Sequence, residues 1–540
     1  MSEMRVGSKS RAGAGPWWQD AVIYQVYPRS FQDSGGDGIG DLKGIIERVD
    51  YFAWLGVDAV WFSPFFTSPM ADFGYDISNY LDIDPSFGTL ADFDKLVTAL
   101  HGRNIRVILD YVPNHTSDQH PWFLESRRSR DNPKRDWYLW RDPAADGGPP
   151  NNWQSLAGGS SWEFDAHTRQ YYCHTFLKQQ CDLNWRNAAV RDAMHDVLRF
   201  WLDRGVDGFR IDAVGCLAKD PALRDDPPNP DFHPGDPPFA HNLMVNSANG
   251  ADIMDFVGGI RRVVEVYPRE PVLIGEVYLK TGEIALYYGA ELGGLQLPTN
   301  FNLLWTPWKA EPILEVITAY EAALPPGAWP DWVMGNHDQS RIASRLGRAQ
   351  ARIAMVLLLT LRGTPILYYG DELGLQDIAI TSTKLRDPFG LNMPGSGQGR
   401  DPERCPMPWD ETEKAGFTTG DPWLPIGSNG PGASVEWQRK DESSMLSMTR
   451  DLLDLRRREP ALSRGSWSAL PVESEVLAYF RQLGDTRFAV LLNLEDNLKR
   501  LHIAEIPSGR VIFSTHKRDT RQPIRQDVEL AANEGLIIAL

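Results

Sequence analysis

The sequence predicts an α/β chain built on a (β/α)8 barrel, with a small domain inserted after the third strand and an antiparallel β domain at the C-terminal end. Three observations carry this prediction. Short apolar runs alternate eight times with polar connections or helical periodicity, as a parallel sheet covered on both faces requires. Acidic residues recur at the ends of those runs, where barrel enzymes gather their chemistry. Beyond residue 460 the pattern changes to short alternating strands. A Rossmann-type sheet is the alternative, but neither GxGxxG nor GxxxxGK[ST] follows a strand.

The elements follow in order. AVIYQVYP is the first strand. Leu42, Ile45, Ile46, Val49 and Phe52 share one helical stripe, and GVDAVWFSP is the second strand. Phe93, Leu96, Val97 and Leu100 form the next stripe, before NIRVILDYVPNH. Val190, Met194, Val197, Leu198 and Trp201 precede GVDGFRIDAV, and Ile253, Phe256, Val257, Ile260 and Val264 precede PVLIGEVY. QLPTNFNLLW, DWVMGNHD and GTPILYYGDELG complete the eight. The shared opening of GVDAVWF and GVDGFRI is a weak internal repeat.

Two connections are too long for plain loops. Residues 116–186, rich in Trp, Asn, Gly and Pro, read as a domain leaning over the barrel mouth. Residues 376–444 read as a long lid loop. The barrel then comprises 1–115 and 187–460, with a last helix near 444–458. VLAYFRQL, RFAVLLNL, RVIFST and GLIIAL form the β domain of 461–540.

The net charge of 55 − 72 = −17, with no basic stripe, argues against nucleic acid or an anionic membrane surface as partner. The 19 Trp suit sugar rings, though Trp is also ordinary core material. Cys173, Cys181, Cys216 and Cys405 form no CxxC pair, which disfavours zinc. Cys173 and Cys181 could bridge only if the fold brings them together, and free buried thiols are the expectation. MSEMRVGSKSRAGAG lacks the apolar core of a signal peptide, and no run of about 20 apolar residues follows. A cytoplasmic protein with a loose N-terminal tail is expected, and the oligomeric state is open.

In GFRIDAV, Arg210 and Asp212 are two apart and so share a strand face. The guanidinium should keep Asp212 ionised, as a covalent nucleophile must be; a structural ion pair is the plainer alternative. Glu276 ends PVLIGEVY among apolar residues, where burial raises a carboxyl pKa and suits a general acid; capping or a salt bridge is its alternative. Asp338 ends GNHD. Carboxyls with opposed environments at neighbouring strand ends are the pattern of glycosidic bond cleavage.

DYVPNH, GFRIDAV, IGEVY and GNHD, in that order, resemble the four signature regions of glycoside hydrolase family 13, the α-amylase family, over nearly the whole chain. CDLNW at 181–185 resembles a fifth, with Cys181 where Pro is usual. The resemblance implies Asp212 as nucleophile, Glu276 as acid/base and Asp338 as transition-state stabiliser in a retaining double displacement. It implies Arg210, His115 and His337 as sugar-binding partners. Within the family the chain is similar to the oligo-1,6-glucosidase and α-glucosidase group. DFGYDISNY supplies Asp72 and Tyr75, and GRDPERCPMPW supplies Arg404. The resemblance implies that Asp72 and Arg404 pair to close the pocket on the terminal glucose, so that cleavage is exo, and that Tyr75 stacks on the ring. Ala213 after the nucleophile goes with α-1,4 activity in similar enzymes, where Val goes with α-1,6. Maltose-like oligosaccharides, sucrose or glucosides are the implied substrates, with transglycosylation.

DSGGDGIGD looks like a loop holding structural Ca2+ or Mg2+ through Asp33, Asp37, Asp41 and the Ile39 carbonyl; a plain Gly-rich turn is the alternative. Gly35 stands where similar proteins have Asn, which removes one ligand. No cofactor is expected for catalysis. A sucrose or maltose isomerase of the trehalose synthase type would use the same acids and exclude water better, with 384–404 of the lid deciding. Ancillary subunits of amino-acid transporters resemble the family too, but they lack the acids and carry a membrane helix.

Overall fold

The computed structural model describes residues 15–427, 430, 432–472, 475–518 and 523–540. The polar N-terminal tail lies outside them, Gly15 excepted. Eight parallel strands close into a barrel: β1 (Ile23–Val26), β2 (Ala59–Phe62), β3 (Arg106–Tyr111), β4 (Gly208–Ile211), β5 (Val272–Val277), β6 (Leu297–Asn300), β7 (Asp331–Val333) and β8 (Thr364–Tyr368). Each pairs with its sequence neighbour, and β1 pairs with β8. The barrel interior is filled by Ile23, Ala59, Trp61, Ile108, Val272, Ile274, Leu297, Val333 and Ile366, all buried. The opposite faces of the strands pack against the helices. These strands are apolar on both sides because neither side meets water.

The four helical stripes lie on the elements expected, with one difference. Leu42 to Leu55 is two helices, Leu42–Glu47 and Val49–Leu55, not one. Arg48 between them leaves helical geometry at φ −101°, ψ 5°; its guanidinium is held by Gln32 and lies over Trp409. The sixth apolar run is also shorter as a strand: after Asn300 it turns into the helix Asn302–Trp305.

Between β3 and β4, strands Trp140–Arg141, Gln170–Cys173 and Trp162–Asp165 form a small antiparallel sheet. Gln180–Asp182 pairs with His115–Ser117, aligning Asp182 with His115. Near the C-terminus, Ser466–Ala469, Val476–Leu483, Thr486–Asn493, Gly535–Ala539, Gly509–Ser514 and Pro523–Ile524 form one antiparallel sheet in that order. Buried Arg481 pins this sheet to the barrel by donating to the carbonyls of Thr360, Leu462 and Gly465. Thr360 ends the helix Ile342–Thr360, so the cation meets carbonyls that the helix itself cannot satisfy.

All four cysteines are free and buried. Among the described residues no helix is long and apolar enough to cross a membrane.

Candidate active site

The C-terminal ends of β3, β4, β5 and β7 deliver Asp110, Asp212, Glu276 and Asp338 to one mouth of the barrel. Register does the first part of the positioning: Arg210 and Asp110 are direct partners across β4 and β3. The Arg210 guanidinium, nearly fully buried over the Trp61 ring, serves three acids. Its Nη1 lies 2.6 Å from Asp212 Oδ1 and 3.0 Å from Asp110 Oδ1, and its Nη2 lies 2.6 Å from Glu276 Oε1. One planar fork therefore bridges the nucleophile candidate and the acid/base candidate. The N–H of Ala213 donates to Glu276 Oε2 at 2.8 Å. Ala213 sits in the left-handed region at φ 44°, a conformation that side-chain-bearing residues avoid. This turn aims its amide at the carboxyl.

The electrostatics differ from the expectation for Asp212. Arg210 alone was expected to hold it ionised. Burial instead pushes Asp212 up to about 7 against the pull of Arg210, and Asp110 adds to the rise. The reason is stoichiometric: one guanidinium cannot neutralise three buried carboxyls. Asp110 itself is raised to about 6 by burial. Glu276 behaves as expected, raised to about 7 by burial with Arg210 opposing. Asp338 goes the other way. Burial raises it, but the surrounding charges hold it well below the carboxylate range. His337 is lowered to about 3 by burial and is neutral at working pH, so the guanidiniums of Arg400 and Arg404 supply that field.

Tyr75 and His337 meet edge to edge, ring centres 5.4 Å apart and planes 3° apart. Its hydroxyl lies 2.7 Å from His337 Nε2 and donates to Asp110 at 3.0 Å. Gln25 of β1 bonds the other His337 nitrogen at 2.8 Å. His115 lies 3.1 Å from both the Tyr75 carbonyl and the Gln180 amide, and Gln180 also donates to Asp72. Burial lowers His115 to about 4, so it too is neutral.

The expected Asp72–Arg404 pair is corrected. Asp72 Oδ1 is bound by Arg400 Nη2 at 2.6 Å. Arg404 instead reaches Asp338 at 2.7 Å and the His337 carbonyl at 2.8 Å. The two arginines lie four apart in GRDPER, and the single turn Pro402–Arg404 between them sends their side chains to different acids. A sequence offers no way to choose between them.

Other groups at the mouth were not singled out from sequence. Asp110 stood in DYVPNH as part of a motif without a role of its own. Beside Glu276, Tyr278 stacks on Phe301 at 4.3 Å and meets Trp305 at 5.6 Å with the ring planes tilted by 36°, and Tyr278 and Trp305 are 43% and 51% exposed. Exposed rings in contact form a flat apolar ledge that a sugar or aryl group can lie on. A third long connection, 218–250, touches the inserted segment through Asn152, bonded to Asp225 and Asp226, and Trp153, bonded to the Arg224 carbonyl.

The metal loop does not assemble as expected. Asp33 spends its oxygens on the N–H groups of Gly35, Gly36 and Gly38 and on the Thr418 hydroxyl. Asp41 caps the helix Leu42–Glu47 and binds Ser34, and Asp37 accepts from the Ile39 N–H. Among the described residues no group of three or more His, Cys, Asp or Glu is placed to hold a metal. A β-carbon on Gly35 would lie 3.6 Å from Asp33 Oδ1 and 3.9 Å from Asp41 Oδ2, where the missing ligand would stand. The expected result is that a chelator leaves the thermal midpoint unchanged, and that Gly35→Asn makes it rise with added Ca2+. A chelator-sensitive wild type would show that the loop rearranges around an ion.

Comparison with known proteins agrees with this geometry. The family model for the alpha amylase catalytic domain matches residues 25–465. A probable alpha-glucosidase of Rhizobium meliloti (strain 1021) is 42% identical over 496 residues, covering 89% of this chain and 90% of its own. The crystal structure of the alpha-glucosyl transfer enzyme XgtA superposes with a TM-score of 0.91 at 41% identity, over 97% of this chain and 99% of that one. The trehalulose synthase MutB from Pseudomonas mesoacidophila MX-45 gives 0.88 at 33% identity, over 98% and 100%. With the acids gathered at the barrel mouth and the family model spanning most of its length, this chain belongs to the α-amylase family of glycoside hydrolases.

Proposed function

We propose that the protein is a retaining, exo-acting α-glucosidase that removes terminal α-linked glucose, with a leaning to α-1,4 linkages, and that passes some glucosyl groups to acceptors other than water. The observation that carries this is the Arg210 bridge between Asp212 and Glu276, below an ion pair between Asp72 and Arg400. Retaining chemistry needs the two carboxyls about 5–5.5 Å apart, and a single guanidinium binding both supports that short spacing.

Asp212 attacks C1 while Glu276 gives its proton to the glycosidic oxygen, and the aglycone leaves. Glu276, now ionised, takes the proton of an incoming hydroxyl as that oxygen attacks C1 and displaces Asp212. Two inversions leave the α configuration. Ionised Asp338 faces the positive charge that develops on the ring. The Tyr278–Phe301–Trp305 ledge adjoins the acid/base, the side on which an aglycone or acceptor would rest. The small side chain of Ala213 leaves room beside the bond being cut. The four unbridged thiols support a reducing, cytoplasmic setting.

The likeness to a trehalulose synthase favours one second reading, an isomerase that returns the glucosyl group to its own leaving sugar. Proton NMR of the protein with maltose or sucrose separates the two. Glucose appearing first as the α-anomer supports a retaining glucosidase. A new disaccharide with little free glucose makes the protein an isomerase. Glucose appearing first as the β-anomer excludes retention.

A further inference from the structure

The part of the lid that carries Arg400 is built around a residue no role has yet claimed. Asp387 is fully buried. Its carboxylate takes the Arg400 guanidinium along one edge, with Nη2 at 2.6 Å and Nε at 3.1 Å, and also accepts the Arg400 backbone N–H at 2.8 Å. The contact is reciprocal one residue further along each segment. Asp401 accepts the N–H groups of Arg386 and Asp387 at 2.6 and 3.0 Å. Residues 386–387 and 400–401 are thus clasped together, and 388–399 form a closed loop between them. The Phe389 ring lies under the guanidinium at 4.0 Å. The far side of the loop rests on the inserted segment, where Met393 packs so closely over Gly158 that a β-carbon there would sit 2.9 Å from Met393 Cγ.

The consequence is geometric. With Nε and one side of Nη2 taken by Asp387, the guanidinium plane is set, and its remaining donors point to Asp72 at 2.6 Å and Asp338 at 3.2 Å. A free arginine would have many rotamers to lose before making both contacts. Ion pairing with Arg400 also holds Asp387 below the usual carboxylate range against its burial, so it keeps its charge at working pH.

We propose that Asp387 is a positioning residue for recognition of the terminal sugar: it locks Arg400 between Asp72 and Asp338 and so sets how strictly the hydroxyl at C4, across the ring from the attacked C1, is required. This rests on the glucosidase reading above. Asp387 itself is buried behind Arg400 and does not touch the sugar.

The test compares kcat/KM for p-nitrophenyl α-glucoside and its 4-deoxy analogue in wild type, Asp387→Asn and Asp387→Ala, with thermal midpoints measured alongside. A site built to bond a hydroxyl rejects the analogue lacking it strongly, so wild type should discriminate by about 100-fold or more. Asp387→Ala should discriminate by less than about 10-fold, mainly through a higher KM for the glucoside, because the charged hydrogen bonds to that hydroxyl are lost. Asp387→Asn, which keeps an acceptor oxygen, should fall between. A merely structural residue would lower both substrates equally and leave the ratio at the wild-type value; that result overturns the proposal. If Asp387→Ala does not fold, Asp387→Asn decides alone by the same ratio. Wild type without turnover of either glucoside would remove the glucosidase reading, and this one with it.

Discussion

Asp212→Asn should fold and lose turnover of every α-glucoside by about 10⁴-fold or more, the scale of losing a covalent nucleophile. The asparagine keeps an oxygen for Arg210 Nη1, so the fork that organises the mouth survives. Stability should also change with pH. The folded pKa of Asp212, about 7, lies above the ordinary value of about 3.9. Its contribution to stability is therefore fully present below the unfolded pKa and is lost as pH rises through about 7. At pH 8 wild type carries an ionised carboxylate crowded by Asp110 and Glu276, and Asp212→Asn does not. The variant's thermal midpoint at pH 8 should exceed that of wild type, and the gap should narrow as the pH falls from about 7 to about 4. Calorimetry across this pH range, with kinetics on p-nitrophenyl α-glucoside, checks this. Activity near wild type would show that another group attacks C1. A shortened variant, Asp212→Gly, supplied with azide should form the β-glucosyl azide, because only one inversion remains.

The second large effect is expected at Glu276. Glu276→Gln keeps one acceptor oxygen, for either Arg210 Nη2 or the Ala213 N–H, and has no proton to transfer. General acid–base catalysis is worth about 10²–10⁴-fold. Hydrolysis of maltose, whose leaving sugar needs protonation, should fall by about 10³-fold. Aryl glucosides with good leaving groups should suffer less in their first step. In wild type, kcat/KM should fall on both sides of neutrality: below about pH 7 as Asp212 gains its proton, and above about pH 7 as Glu276 loses its own. The two carboxyls share Arg210, so the two limbs belong to the pair and not to either residue. Glu276→Gln should abolish the alkaline limb and leave the acid one. Persistence of the alkaline limb in the variant would assign it to a different group.

Much of this molecule was legible in its amino-acid order. Eight apolar runs located eight strands, because a strand buried on both faces has no polar side to interrupt it. The same rule placed Asp212, Glu276 and Asp338, since the residue ending such a run must emerge at the barrel mouth. Local pattern failed where a side chain's partner decided the matter. The stripe from Leu42 to Phe52 looked like one helix, but the contacts of Arg48 with Gln32 and Trp409 accompany its break. DSGGDGIGD had the spacing of an ion-binding loop, but its carboxylates turn onto the loop's own N–H groups and onto Thr418, a residue 385 positions from Asp33.

The sequence by itself determined the barrel, its family and the acids at its mouth, since these depend on periodicity and on which residues end each strand. Tertiary structure alone decided that Arg400 rather than Arg404 faces Asp72, that Arg210 is divided among three carboxyls, and that Asp212 is consequently raised rather than held low. Pairings and pKa values are properties of distance and burial in three dimensions. Nothing in the spacing of Arg400 and Arg404, or in the isolated Arg210–Asp212 pair, records what else competes for each guanidinium.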